Sequence, residues 1–319
     1  LEQIAAREYE RLAKKFGHPT LACGARRGAR CEMAILALGK FGGREMNYHS
    51  DLDVVFLYEE EGQTAHAEFG GKETTSNQHF FGELGQRIIK VTSRLSSHGR
   101  LYEIDARLRP TGKSGMLATS LVEFARYFAS GDGQLWERQA LTKARVVCTS
   151  PEMAEKTARV AAAAAFDRPF TRSDAEAIRQ MRRRMEGTAA GANLKRGPGG
   201  IVDIEFLVQT LQLKYGRDDA TIRTPNTLEG LRALHRAGLL AEDDWRFFTE
   251  SYQFLRTLEG RLRLMNMTDQ SRLPEDPTEL TKLSHLLRWP SGGALLVDFE
   301  RCLAGTRERF DRIFDAQAG

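Results

Sequence analysis

The residues with the most chemical potential lie between positions 38 and 58. There the glycine pair Gly42-Gly43 is separated by six residues from Ser50-Asp51-Leu52-Asp53. Asp51 and Asp53 are i and i+2, so on an extended strand both carboxylates leave the same face. Two neighbouring carboxylates repel unless a cation neutralises them. Hard oxygen ligands at that spacing suit Mg²⁺, which is usually held by one or two carboxylates together with substrate phosphates. The glycines predict backbone N–H groups that approach a triphosphate with no Cβ in the way. The chemistry this combination implies is metal-assisted nucleotidyl transfer. Each half alone is commonplace, Gly-Gly as a turn and Asp-x-Asp as a solvated strand end; the order and distance carry the reading.

A third carboxylate is expected in such a site. The stretch Arg100-Leu-Tyr-Glu-Ile-Asp-Ala-Arg-Leu-Arg-Pro110 supplies Asp105, in a candidate strand with Leu101, Ile104 and Leu108. A third carboxylate helps hold the catalytic metal or takes the proton of the attacking hydroxyl. Arg107, Arg109 and Lys113 are candidate partners of phosphate oxygens, the arginines through their bidentate forks. The competing reading makes Asp105 a plain ion-pair partner of Arg107 or Arg109.

These side chains need elements to place them. Met33–Leu38 and Val54–Tyr58 are apolar and partly β-branched, so both predict buried strands flanking the glycine turn. Ile4, Leu12 and Ala13 among charges predict an entry helix over residues 1–16. Gly24–Arg30 reads as a basic loop, and Glu59–Ser76 as a polar one. Phe80, Phe81, Leu84, Ile88, Val91 and Leu95 recur at three-to-four spacing and predict a helix from Asn77, its N-cap, to Ser97. Arg109–Gly115 reads as a turn. After Pro151 the strand signal fades. Helical periodicity runs through residues 161–165, 173–187, 201–215, 225–239, 242–268, 277–288 and 293–315, with Ser173 and Glu176 as a capping box. The expected division is a domain over 1–150 and a helix bundle over 151–319.

Other features weigh less. Lys195-Arg-Gly-Pro-Gly-Gly200, followed by Asp203 and Glu205, reads equally as an anion site at a helix start or as a helix cap with an interdomain salt bridge. Trp136 is expected to pack between domains, with Glu137, Arg138, Lys143 and Arg145 solvated around it. His49 stands beside Ser50 as no more than a supporting residue. Arg182-Arg183-Arg184 reads as a solvated helix face.

The 319 residues carry 47 Lys+Arg against 43 Asp+Glu, a net +4, which argues against a dedicated nucleic-acid binder. No apolar run is long enough for a membrane span. The four cysteines, Cys23, Cys31, Cys148 and Cys302, lack metal-site spacing and read as reduced thiols of a cytoplasmic protein.

Three blocks together resemble the glutamine synthetase adenylyltransferases, bifunctional enzymes that attach AMP to glutamine synthetase and remove it. They are Gly39–Tyr58, Leu101–Leu117 continuing to Trp136–Val146, and Asn193–Gln209. The resemblance implies an α+β fold, a polymerase-β-like nucleotidyltransferase domain followed by an all-helical bundle. It implies ATP as donor, Mg²⁺ as cofactor and a tyrosine hydroxyl of glutamine synthetase as acceptor. By motif, Asp51, Asp53 and Asp105 would bind metal, and Gly42, Gly43 and Ser50 would line the triphosphate. Family members carry two catalytic units in tandem, and regulation by a PII-type signalling protein goes with them. One Asp-x-Asp site and an opening Leu1 are expected of one excised unit. The wording Leu101–Pro110 with Ser114-Gly-Met-Leu117 resembles the adenylylating unit. The alternatives are the phosphorolytic deadenylylating unit, echoed in Ile222–Leu228, and a non-catalytic docking module.

Overall fold

The computed structural model describes residues 1–66, 73–95, 102–189, 193–266 and 271–318. Cα packing divides them into two units, one of residues 1–45 with 50–167 and one of residues 46–49 with 168–319.

The first unit is α/β. Helix α1 (Glu2–Phe16) buries Ala5, Leu12, Ala13 and Phe16. Strand β1 (His18–Pro19) pairs with β4 (Thr64–Ala65), which lies inside the segment read as a polar loop. The main sheet contains β2 (Met33–Ala37), β3 (Leu52–Tyr58), β5 (Ile104–Asp105), β6 (Ala118–Ser120) and β7 (Arg145–Val147). Its order is β5-β3-β2-β7, with β6 also on β3. β2 and β3 are antiparallel, Met33 facing Tyr58 and Ala37 facing Val54. β5 and β6 both join β3 in parallel, one at each end. Between β2 and β3 the glycine segment forms the one-turn helix α2 (Gly39–Gly42).

Both sheet faces are covered, which is why β3 is an apolar run rather than an alternation. Helix α3 (Asn77–Thr92) lays Phe81 on Tyr58, ring centroids 5.1 Å apart. On the other face, Ala34, Leu36, Val55 and Leu57 meet Leu121 and Phe124 of α4 (Leu121–Ala129), Leu141 of α5 (Leu135–Leu141) and Met153 to Phe166 of α6 (Pro151–Phe166).

The second unit contains α7 (Arg172–Gly187), α8 (Ile201–Tyr215), α9 (Thr227–Arg236), α10 (Glu242–Asn266), α11 (Pro277–Leu287) and α12 (Gly292–Ala318). It has no strand among the described residues. α8 is buried almost all round, and α7, α9, α10 and α12 pack on it, the pattern of a central bundle helix. No described helix is long and apolar enough to cross a membrane.

Two caps fall elsewhere than the sequence predicts. Ser76 caps α3, accepting from the His79 N–H at 3.2 Å, while Asn77 is buried and donates to the carbonyls of Thr20 and Glu60. α7 starts with a Thr171/Asp174 box, two residues before the predicted Ser173/Glu176. In both cases several hydroxyl or amide residues compete, and burial of the first turn decides. α3 ends at Thr92 with Ser93 as its C-cap, short of the predicted Ser97, and Leu95 is exposed. β5 holds only Ile104 and Asp105, because Leu108 lies in the turn that follows, so the strand is shorter than the sequence predicts. Ser97, Leu101 and residue 268 themselves lie outside the described residues.

Candidate active site

Strand pairing brings the predicted carboxylates together. Leu52 faces Ile104 and Asp53 faces Asp105 across the parallel β3–β5 pair, so the two aspartates are lateral neighbours on strands spaced about 4.8 Å apart. Asp51 precedes the first residue of β3 and is exposed; Asp53 and Asp105 are half-buried. By alternation Asp53 shares the Val55–Leu57 face.

A cation already stands among them. Arg107 Nε donates to both Asp105 oxygens, at 2.9 and 2.8 Å, and its Nη2 contacts Oδ2. The Arg107 backbone N–H also donates to Asp105 Oδ1 at 2.9 Å. This hydrogen-bonded guanidinium holds the Asp105 carboxyl below the usual carboxylate range. The charges of Asp105, and then of Asp51 and Asp53, raise the Arg107 pKa further. The ion-pair reading of Asp105 is therefore realised here, with the charges of Asp51 and Asp53 acting on the same guanidinium. Among the described residues no three acidic, His or Cys side chains are already gathered as metal ligands.

Gly39, which sequence reasoning passed over, matters more locally than the glycine pair. It has φ +52°, and a Cβ there would lie 2.2 Å from Asp53 Oδ2. Only a residue without Cβ leaves that carboxylate its place. A signal existed, since Gly39 opens the turn between the strands. The pair itself behaves otherwise than expected. The Gly42 and Gly43 N–H groups donate to the carbonyls of Leu38 and Gly39, at 2.7 and 3.2 Å, so the one-turn helix closes on itself. A Cβ on Gly42 would fall 1.9 Å from the Lys143 carbonyl oxygen, so that glycine serves close backbone packing. Ser50 is half-buried at the entry to β3.

Arg109 does not extend into the site. Its guanidinium donates to the carbonyls of Ala106 at 2.6 Å, Gly115 at 3.1 Å and Lys113 at 3.1 Å, stapling the 106–115 turn. Burial lowers its pKa, an effect Asp105 partly opposes. Lys113 is exposed on the 3₁₀ turn Gly112–Ser114, and its charge adds to the lowering at Asp105.

The charges near Trp136 are not solvated. Trp136 is part-exposed, but Glu137, Arg138 and Lys143 are buried. Glu137 closes the α5 capping box and accepts from Tyr127 Oη at 2.9 Å. Arg138 donates to the Ala165 carbonyl, and Lys143 meets Glu45 at 2.5 Å. Arg145 donates to the Phe41 and Gly42 carbonyls, completing the end of α2. Their charge alone assigned these residues to solvent; partners on neighbouring elements made their burial affordable.

In the helical unit, Asp203 and Arg182 form a buried ion pair, Asp203 also accepting from the Gly199 N–H at 2.6 Å. Gly199 has φ +75°, and a Cβ there would meet the Leu303 carbonyl oxygen at 1.9 Å. The glycine-rich loop before α8 is thus a helix cap and a packing joint, and its salt bridge lies within the helical unit. Of Arg182–Arg184 the first is buried and the other two are exposed.

An α/β unit with acidic side chains at the head of its sheet, followed by a helical unit, is the architecture expected of a nucleotidyltransferase. The family described as glutamate-ammonia ligase adenylyltransferase matches residues 1–160, and that described as GlnD PII-uridylyltransferase matches residues 170–317. Three relatives bear the name bifunctional glutamine synthetase adenylyltransferase/adenylyl-removing enzyme. The one from Ralstonia nicotianae is 33% identical over 96% of this chain and 34% of its own length. The one from Burkholderia mallei is 37% identical over 91% and 32%, and that from Nitrosomonas europaea 34% over 95% and 32%. The chain belongs to the glutamine synthetase adenylyltransferase family, and it spans about a third of the length of the curated relatives it matches.

Proposed function

We propose that this chain is an adenylylating unit that transfers AMP from ATP to a tyrosine hydroxyl of glutamine synthetase. The observation that carries the reading is the register of Asp53 against Asp105, with Asp51 two residues upstream, around the Arg107 guanidinium. The donor set fits Mg²⁺: hard carboxylate oxygens from three residues, where a positive charge is already accommodated. Asp51, Asp53 and Asp105 would hold the ion, which supplies charge neutralisation at phosphate and acidifies a nearby hydroxyl.

The chain's own residues supply the rest. Arg107 is exposed enough to leave Asp105 and turn its fork to phosphate oxygens, and Lys113 adds a second charge beside it. Asp105, released by that arginine, acts as a ligand. A phenol ionises at about pH 10 in water, and its proton leaves to solvent as the tyrosyl oxygen bonds to the α-phosphorus. The bond from that phosphorus to the bridging oxygen breaks, and pyrophosphate departs. Ser50, Gly42 and Gly43 border the phosphate end through the loop that joins β2 and β3. Glutamine synthetase is the protein substrate, a PII-type protein the regulator, and the relatives' remaining length the second catalytic unit.

Incubation with unmodified glutamine synthetase, Mg²⁺ and ATP, followed by intact-mass spectrometry, tests this. Gain of one AMP per subunit supports it. Loss of AMP from pre-adenylylated synthetase when phosphate is supplied would assign the reverse unit, and no change in either assay would mean a docking module.

A further inference from the structure

Residues 46–49 group with the helical unit, although Glu45 and Ser50 on either side group with the α/β unit. Within the helical unit this tetrapeptide is held by α10. Arg263 Nη1 donates to the Tyr48 carbonyl at 2.7 Å. Its Nη2 donates to Glu259 Oε1, one turn back, at 3.0 Å. Glu259 Oε2 accepts from Arg256, and from Asn47 Nδ2 at 3.5 Å. Glu259 and Arg263 are both buried, so their hydrogen-bonding groups must find protein partners. Arg263 finds one at the Tyr48 carbonyl, and Glu259 finds its own in Arg256 and Arg263, with the Asn47 amide as a longer contact.

Gly260 lies between them on α10. A Cβ there would come within 3.1 Å of Asn47 Oδ1, so the helix backbone approaches the loop more closely than a side chain would comfortably allow. Asn47 Oδ1 in turn accepts from the Tyr48 N–H at 2.9 Å. The tetrapeptide is bracketed by left-handed backbone at Arg44, φ +57°, and at its last residue His49, φ +56°. Non-glycine residues keep such conformations where their surroundings over-determine them, and these cluster at functional sites. The next residues in the chain are Ser50 and Asp51.

We propose that Glu259 and Arg263 are positioning residues for AMP transfer. From α10 they fix the Asn47–Tyr48 backbone and, through the left-handed turn at His49, the direction in which Ser50 and Asp51 leave the loop. The inference rests on the reading of Asp51, Asp53 and Asp105 given above. The leverage is geometric: a misplacement of about 1 Å at a reacting centre costs about a hundredfold in rate.

Three variants of the whole chain separate positioning from simple stability. Asn47→Ala removes the loop's side-chain anchor and leaves the α10 ion pairs intact. Arg263→Lys keeps the charge and loses the planar fork. Arg263→Met loses both. Each is measured by thermal melting, by hydrogen exchange over residues 44–53, by calorimetric titration with ATP and Mg²⁺, and by AMP transfer at saturating ATP. We expect Asn47→Ala to melt with the wild type, to exchange faster over residues 44–53 and to lose about 10- to 100-fold in turnover. Arg263→Lys recovers part of what Arg263→Met loses. Wild-type exchange over residues 44–53 in Asn47→Ala, or faster exchange with unchanged turnover and ATP binding, overturns the proposal. A wild-type chain that transfers no AMP, alongside variants that still loosen residues 44–53, overturns the reading of the aspartate site and leaves the clamp standing.

Discussion

Two aspartate–arginine pairs, one in each unit, have the same chemistry and opposite surroundings. Asp105 and Arg107 form a pair whose arginine side chain is 63% exposed and whose carboxylate is 14% exposed. Asp203 and Arg182 form one whose side chains are 0% and 1% exposed. The first can open at little cost, because water resolvates the guanidinium; the second cannot, because either partner alone would be a buried charge. Asp203 is also tied to the Gly199 N–H and approached by Arg307 at 3.5 Å. Asp105 is bonded to an exposed cation and to the Arg107 backbone, with the Lys113 charge nearby. An exposed, displaceable counter-ion suits a site that exchanges one cation for another; a buried, multiply bonded one suits a joint between helices.

The sharpest break of this comparison is at the carboxylates. Asp53→Asn keeps the shape and removes the charge, and turnover should fall by about 10³-fold or more while the melting temperature is unchanged; intact-mass detection of AMP reads the first and calorimetry the second. Wild-type activity in this variant would remove Asp53 from the site.

Next in size, Asp203→Ala should cost about 3–5 kcal/mol of stability by stranding Arg182, measured by urea unfolding. Arg107→Ala, the matched lesion in the exposed pair, should cost about 0–1 kcal/mol. Equal losses in the two variants would erase the distinction.

Gly39→Ala sharpens the picture from the backbone side. It forces a Cβ onto Asp53 Oδ2 at a left-handed position, a strain of about 1–2 kcal/mol, and should lower both stability and Mg²⁺ affinity. Gly131, also left-handed but with open space around its Cβ position, is the control, where alanine should bring strain alone.

The smallest effect is on pH. Arg107 lowers the Asp105 pKa in the folded chain, so the pair's contribution is present above the unfolded value of about 3.9 and is lost only as pH falls through the lower folded value. Carboxyl ¹³C titration should show Asp105 ionised throughout the neutral range, and Arg107→Ala should move its midpoint upward. An unmoved midpoint would dissociate the two residues.

The strands beside the glycine turn, the α3 helix and the run of helices after residue 170 were legible because apolar periodicity reports burial directly. Ile201–Tyr215 was readable to its end residues. The caps at Ser76 and Thr171 were not, since several neighbouring residues could cap and only the packed first turn chooses. The burial of Glu137, Arg138 and Lys143 was hidden for a related reason: a charge reads as solvated until its partner, here Tyr127, Ala165 or Glu45, arrives from elsewhere in the chain. Arg109 reads like Arg107 in sequence, yet three carbonyls of its own turn take its donors.

The local pattern by itself determined the residue types of the candidate site, the order of the α/β and helical segments and the family, because each is written in contiguous or periodic residues. Tertiary structure alone decided that Asp53 stands in register with Asp105, that Gly39 makes room for a carboxylate, and that residues 46–49 belong with the helical unit. Those facts depend on strand register, on the space a missing Cβ leaves and on a buried guanidinium's need for an acceptor, all set by residues far apart in the chain.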